Sequence, residues 1–297
     1  MDARFPRGRR AVVVALLVGA VHAAAVSWFV ARLALPVDVP GNAPGGVVGA
    51  TVGLVALAAV PTALALDEGL RLLSPVVLSA VAAVVPVGLT VTAPLPSYST
   101  LGGHLVSSGP LYIGVYVDAW YVWLYVALVV GLVEAVIRLD RDWAPPRARR
   151  LRALLSPTRP AARRTAGVVG VGHAVVLLTL AADWNYFAPD AYLPAPWYVG
   201  AAVLAWTLLG LVVVGSLGPY LLVRFRLLSP TLAFAWVVAR VGWSQNMPLP
   251  DDPLPVYFLG WFFFAGLGLL VGAAEYGLRR LGRWVRRRSR YVETQDP

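Results

Sequence analysis

The 297-residue chain contains no cysteine, and all 25 of its basic residues are arginine. Without thiols it can form no disulfide, thiolate metal site, iron–sulfur cluster or cysteine nucleophile. Without lysine it can form no Schiff base with a cofactor such as retinal. Catalytic signatures are missing as well: there is no H-E-x-x-H, no lysine-bearing phosphate loop, no G-x-S-x-G elbow and no aspartate-rich pair inside an apolar run. No enzymatic activity, and no cofactor, is expected from these residues.

Charge is scarce too. Charged residues make up 13% of the chain and hydrophobic ones 59%, with a mean hydropathy of +0.70. Soluble domains carry about a quarter charged residues, so this composition indicates a polytopic membrane protein. Apolar runs long enough to cross a hydrocarbon core lie near 11–34, 46–66, 75–94, 112–137, 166–183, 198–223, 230–243 and 255–278. The expected fold is therefore all-α with eight transmembrane helices. The seventh run is the shortest and contains Arg240.

The net charge of +10 gains its meaning from where the arginines lie. With the N-terminus inside, every arginine except Arg32 and Arg240 falls in an inner segment, and the outer connections hold none. The positive-inside rule then places both termini in the cytoplasm and makes the span number even. The same clusters can rest on anionic lipid headgroups. They lack the interleaved aromatics of a nucleic-acid platform, so no nucleic-acid partner is expected.

The chain also resembles itself. RLLSP at 71–75 recurs at 226–230, and PLP at 94–96 recurs at 248–250. At a constant offset of 141, Tyr116, Trp120, Val130, Gly131, Glu134, Arg138 and Trp143 match Tyr257, Trp261, Val271, Gly272, Glu275, Arg279 and Trp284. This reads as two tandem four-helix repeats, 1–140 and 166–290, joined by an Arg- and Pro-rich cytoplasmic linker over 141–165 and followed by a tail, 291–297. An even number of spans gives both halves one orientation, with a pseudo-two-fold axis along the membrane normal. Helix 1 resembles a signal peptide at its small residues Ala23 to Ala25, but its counterpart in mid-chain cannot be one, so it is expected to be retained. The halves differ at an outer insertion, 97–109, which carries His104 and is replaced by Asp251 and Asp252 in the second half.

Two of the three histidines match across the halves: His22 in VGAVHAAAV and His173 in VGVGHAVVL. His22 lies about 16 Å from the inner edge of its helix, near the bilayer midplane. An ionisable group at that depth faces the protein interior and needs a partner. It can be a neutral hydrogen bond to a helix carbonyl or to a hydroxyl such as Thr51 or Thr207. It can also be a functional pair meeting between the halves, as proton carriers, ion ligands or haem ligands. Glu134 with Arg138, and Glu275 with Arg279, are i, i+4 pairs near the cytoplasmic helix ends. They read either as ion pairs locking a helix to its neighbour or as a gate. Trp28, Trp120, Trp123, Trp184, Trp197, Trp243 and Trp261 fit an interfacial belt.

From these features the chain is expected to be a small permease-like transporter of the cell membrane, with a pathway between the repeats and a proton link through His22 and His173. A non-catalytic membrane scaffold or accessory subunit is the alternative. A haem- or quinone-binding redox protein is the third.

Overall fold

The computed structural model describes residues 7–33, 45–68, 70–93, 98–101, 104–107, 111–141, 143, 148–183, 197–244 and 253–293. Its helices are α1 (Arg7–Arg32), α2 (Gly46–Leu66), α3 (Ser74–Thr92), α4 (Tyr112–Asp118), α5 (Trp120–Asp140), α6 (Arg149–Leu154), α7 (Arg159–Asp183), α8 (Trp197–Phe225), α9 (Ser229–Ser244), α10 (Pro253–Leu259) and α11 (Trp261–Glu293). Seven of them, α1, α2, α3, α5, α7, α8 and α11, are long and apolar enough to cross a membrane. In lipid only a helix or a closed barrel satisfies its backbone polar groups internally, and runs of Val, Leu and Ala supply the helix.

The expected span missing from these seven is the seventh run, 230–243, which forms α9, a helix of 16 residues. Its length is about 24 Å at 1.5 Å per residue, short of a hydrocarbon core. The fourth and last expected spans are each broken near the outer end. Between α4 and α5, Ala119 leaves the helical region at φ −99° and ψ 25°. Between α10 and α11, Gly260 donates to the Val256 carbonyl at 2.9 Å and closes the short helix. Neither break has a proline to announce it.

The 97–109 insertion contains the antiparallel hairpin β1 (Tyr98–Leu101) and β2 (His104–Ser107), in register Tyr98 to Ser107 and Leu101 to His104. Asp251, Asp252 and Trp184 lie outside the described residues.

Three cores hold the helices. The first gathers Ala23, Leu54, Leu57, Ile113 and Val117 from α1 to α4. A second packs Val122, Val126 and Val129 of α5 among α7 to α10, with Leu177, Leu211 and Val238. The third lies toward the expected cytoplasmic side, where Leu155 of the linker joins Leu72, Val136 and Leu222. There Arg224 also donates to the Pro157 carbonyl, at 2.5 Å.

Packing is directional between the N-terminal helices and the C-terminal ones. Helix α5 lies against α7 and α9, whereas α11, among the described residues, makes no comparable packing with α1 to α4. Closed two-fold contact would have been mutual.

Candidate functional site

The two midplane histidines are each held by a tyrosine from the short helix of their own group. Tyr116 Oη lies 2.7 Å from His22 Nε2, and Tyr257 Oη lies 2.9 Å from His173 Nε2. Each of these tyrosines lies on the short helix just before a break, at Ala119 and at Gly260. Helix α4 is further aimed by Thr90, whose Oγ1 donates to the Pro86 carbonyl and accepts from the Ile113 N–H at 3.1 Å. Both tyrosines are buried at 1% exposure or less.

Sequence reasoning had offered Thr51 and Thr207 as partners. Thr51 instead donates to the Val47 carbonyl of its own helix, and Thr207 is buried elsewhere in α8. His22 and His173 are thus bound in separate groups, each by its own tyrosine. The signal was present: the tyrosines stood in the same set of matched positions as the glutamates.

What surrounds the two imidazoles differs. His173 is fully buried. Gly215 of α8 packs against it closely enough that an added Cβ would come within 2.4 Å of the His173 Cβ position, so only glycine fits there. The Tyr125 ring of α5 lies 5.7 Å from it. Among the described residues, nothing takes the place of Tyr125 at His22. A cavity of about 190 Å³ opens there instead, lined by Val18, Pro61, Thr62, Ser79 and Tyr116 beside His22. Ser79 Oγ is buried in its wall and, among the described residues, has no hydrogen-bond partner.

The glutamates form a second duplicated device. Glu134 accepts from the Leu73 and Ser74 N–H groups at 3.2 and 2.7 Å, and Arg138 closes on it at 2.5 Å. Glu275 accepts from the Leu228 and Ser229 N–H groups at 3.1 and 2.9 Å and from Ser229 Oγ at 2.6 Å, and it pairs with Arg279. The first turn of a helix exposes N–H groups with no intrahelical partner and a partial positive charge. Here a carboxylate from a different helix caps α3, and another caps α9.

The two sequence repeats are therefore parts of one contact. Arg71 and Arg226 take positive φ values of 49° and 60°, which turn the chain into α3 and α9. Pro75 and Pro230 then lie against Gly131 and Gly272, three residues before each glutamate. A left-handed non-glycine residue costs roughly 1–2 kcal/mol, and the charge-assisted bonds to glutamate offset it. Arg226 has its guanidinium pKa lowered by burial, opposed by Asp140 at 4.0 Å.

A groove of about 550 Å³ runs past Glu134 and Arg138, but these polar groups are already engaged in the cap. Two tryptophans of the expected belt prove to be packing residues: Trp120 lies on Gly53 and Trp261 on Gly210, with no room for a side chain at either glycine. Apart from the β1–β2 hairpin, the described elements are helices, and seven of them are long and apolar enough to span a membrane. The chain matches no family model, no curated protein and no solved structure.

Proposed function

We propose that the chain is an eight-span protein of the cell membrane, built as two tandem four-helix repeats of one orientation with both termini cytoplasmic. We infer further that it acts as a small proton-linked transporter whose solute site is the cavity at His22, inside the first repeat. The recurring His–Tyr bond, glutamate cap and Trp-on-Gly contact support the repeat. The arginine distribution, which requires an even number of spans, supports counting α9 as the eighth.

One observation carries the functional reading: the cavity at His22 is open where the matching space at His173 is filled by Tyr125. It places an ionisable imidazole, a tyrosine hydroxyl and an unpartnered serine hydroxyl together in apolar walls. A small guest with one hydrogen-bonding group suits such a space. An imidazole near the midplane can pass a proton as the guest changes sides.

The test uses proteoliposomes loaded with a low-molecular-weight filtrate of host cytosol and a pH-sensitive dye. An imposed pH gradient should collapse faster with the wild-type protein than in protein-free vesicles, and H22Q should remove the excess rate. No excess rate for the wild type would overturn the transport reading. The alternative, a non-catalytic scaffold, is favoured by the use of Glu134, Glu275 and both Nε2 atoms in helix-to-helix bonds. It expects no excess flux.

A further inference from the structure

Helices α5 and α11 carry the same set of contacts. Each begins after a break, lays its first tryptophan on a glycine, and caps a neighbouring helix with a glutamate three residues past a glycine. They differ in what covers them. On α5, Val122, Val126 and Val129 are buried against α7 and α9, and Val122 lies against Gly242. At the 141-residue offset these positions on α11 are Phe263, Leu267 and Leu270, which are 71%, 54% and 69% exposed.

The receiving side shows the converse. In front of His173 the space between α7 and α9 is filled by α5. The matching space between α1 and α3, in front of His22, is the open cavity, with Ala80 and Ala83 of α3 in its wall. One helix thus lacks its groove, and one groove lacks its helix.

We propose that α11 of a second copy of this chain docks between α1 and α3 in front of His22, as α5 docks between α7 and α9 within the chain. Exposure to lipid alone would carry no such conclusion, because lipid tails are as apolar as leucine. The filled counterpart carries it, together with the small residues that let a helix approach closely. The contact is heterologous: one face of each copy meets a different face of the next. Since both repeats share one orientation, successive copies turn about the membrane normal, and the assembly is a ring where that rotation closes. Gly266 stands on α11 where Tyr125 stands on α5, so docking walls the His22 cavity without filling it. The inference rests on the repeat but not on transport, and a scaffold would assemble in the same way.

The natural absence of cysteine makes the test direct. A Cβ placed on Gly242 lies 3.3 Å from the Val122 Cβ, so V122C/G242C should form a disulfide within one chain. The matching pair across copies is V87C/F263C. After mild oxidation in native membranes it should give a ladder of dimers and larger multimers on a non-reducing gel, while V87C alone and F263C alone stay monomeric. Failure of V87C/F263C to crosslink while V122C/G242C succeeds would overturn the proposal and leave the α11 face to lipid. Crosslinking of F263C alone would overturn it too, because that requires two copies of α11 to meet. The wild-type chain should also leave lipid nanodiscs in multiples of 31.7 kDa by native mass spectrometry, and a monomer would contradict the ring.

Discussion

His22 and His173 share a tyrosine partner and a similar local sequence, yet one imidazole borders a cavity and the other is sealed. The sealing group, Tyr125, comes from α5, whereas His173 and its tyrosine lie on α7 and α10. The same His–Tyr contact thus stands in two settings: α5 packs against α7 and α9 in front of His173, and among the described residues no helix takes the corresponding place before His22. What distinguishes a site from a packed core here is a neighbour and not a ligand set.

The comparison can be broken most severely at the caps. Replacing Glu275 with alanine leaves two N–H groups of α9 and Ser229 Oγ unpartnered, and about 3 kcal/mol of stability should be lost. Glu134→Ala removes two N–H bonds and should cost somewhat less. Thermal unfolding in one detergent checks the order, and an unchanged midpoint for both would mean that the caps are not structural.

Next comes the plug. Tyr125→Ala should open beside His173 a cavity like the one beside His22, at a cost of about 2 kcal/mol for a half-buried aromatic ring. Xenon binding, read by NMR, should then appear in the second repeat as well. A smaller effect separates the tyrosines. Tyr257→Phe should cost about 1 kcal/mol, within the range measured for hydrogen bonds between membrane helices. Tyr116→Phe should cost less, since the His22 cavity admits water or a guest that can replace the hydroxyl. Equal losses would argue that the two sites are equally dry. The smallest effect belongs to Asp140→Asn, which removes an ion pair at 4.0 Å whose carboxylate is mostly exposed. Such a pair is worth about 0.5 kcal/mol or less.

Much of this was legible in the sequence. The apolar runs gave most of the helices. The matched positions named every residue of both devices: RLLSP, the glycine, the glutamate, the arginine, the histidine and the tyrosine. What periodicity does not carry is which matched segments touch. RLLSP and Glu134 lie about 60 residues apart in sequence, and only the fold joins them as helix start and cap. The breaks at Ala119 and Gly260 were hidden because neither residue before them forbids a helix, and without them Tyr116 and Tyr257 read as members of a single stripe. Of the two readings offered for His22 and His173, a meeting between the halves required mutual packing, whereas α5 lies against α7 and α9 and each histidine is bonded by its own tyrosine. Glu134 pairs with Arg138 and Glu275 with Arg279 at the i, i+4 spacing the sequence shows, but the third partner, the helix N-terminus, was not foreseen.

The inequality of the two histidine sites is tested most directly by comparing His22→Ala with His173→Ala in thermal unfolding under identical conditions. Removing the His173 ring should leave a sealed void among Tyr125, Tyr257 and Gly215, and such voids cost about 2–5 kcal/mol. Removing the His22 ring only enlarges a cavity that is already present, so that variant should unfold within about 1 kcal/mol of the wild type while losing its proton flux. Equal destabilisation of the two variants, or a greater loss for His22→Ala, would contradict the account.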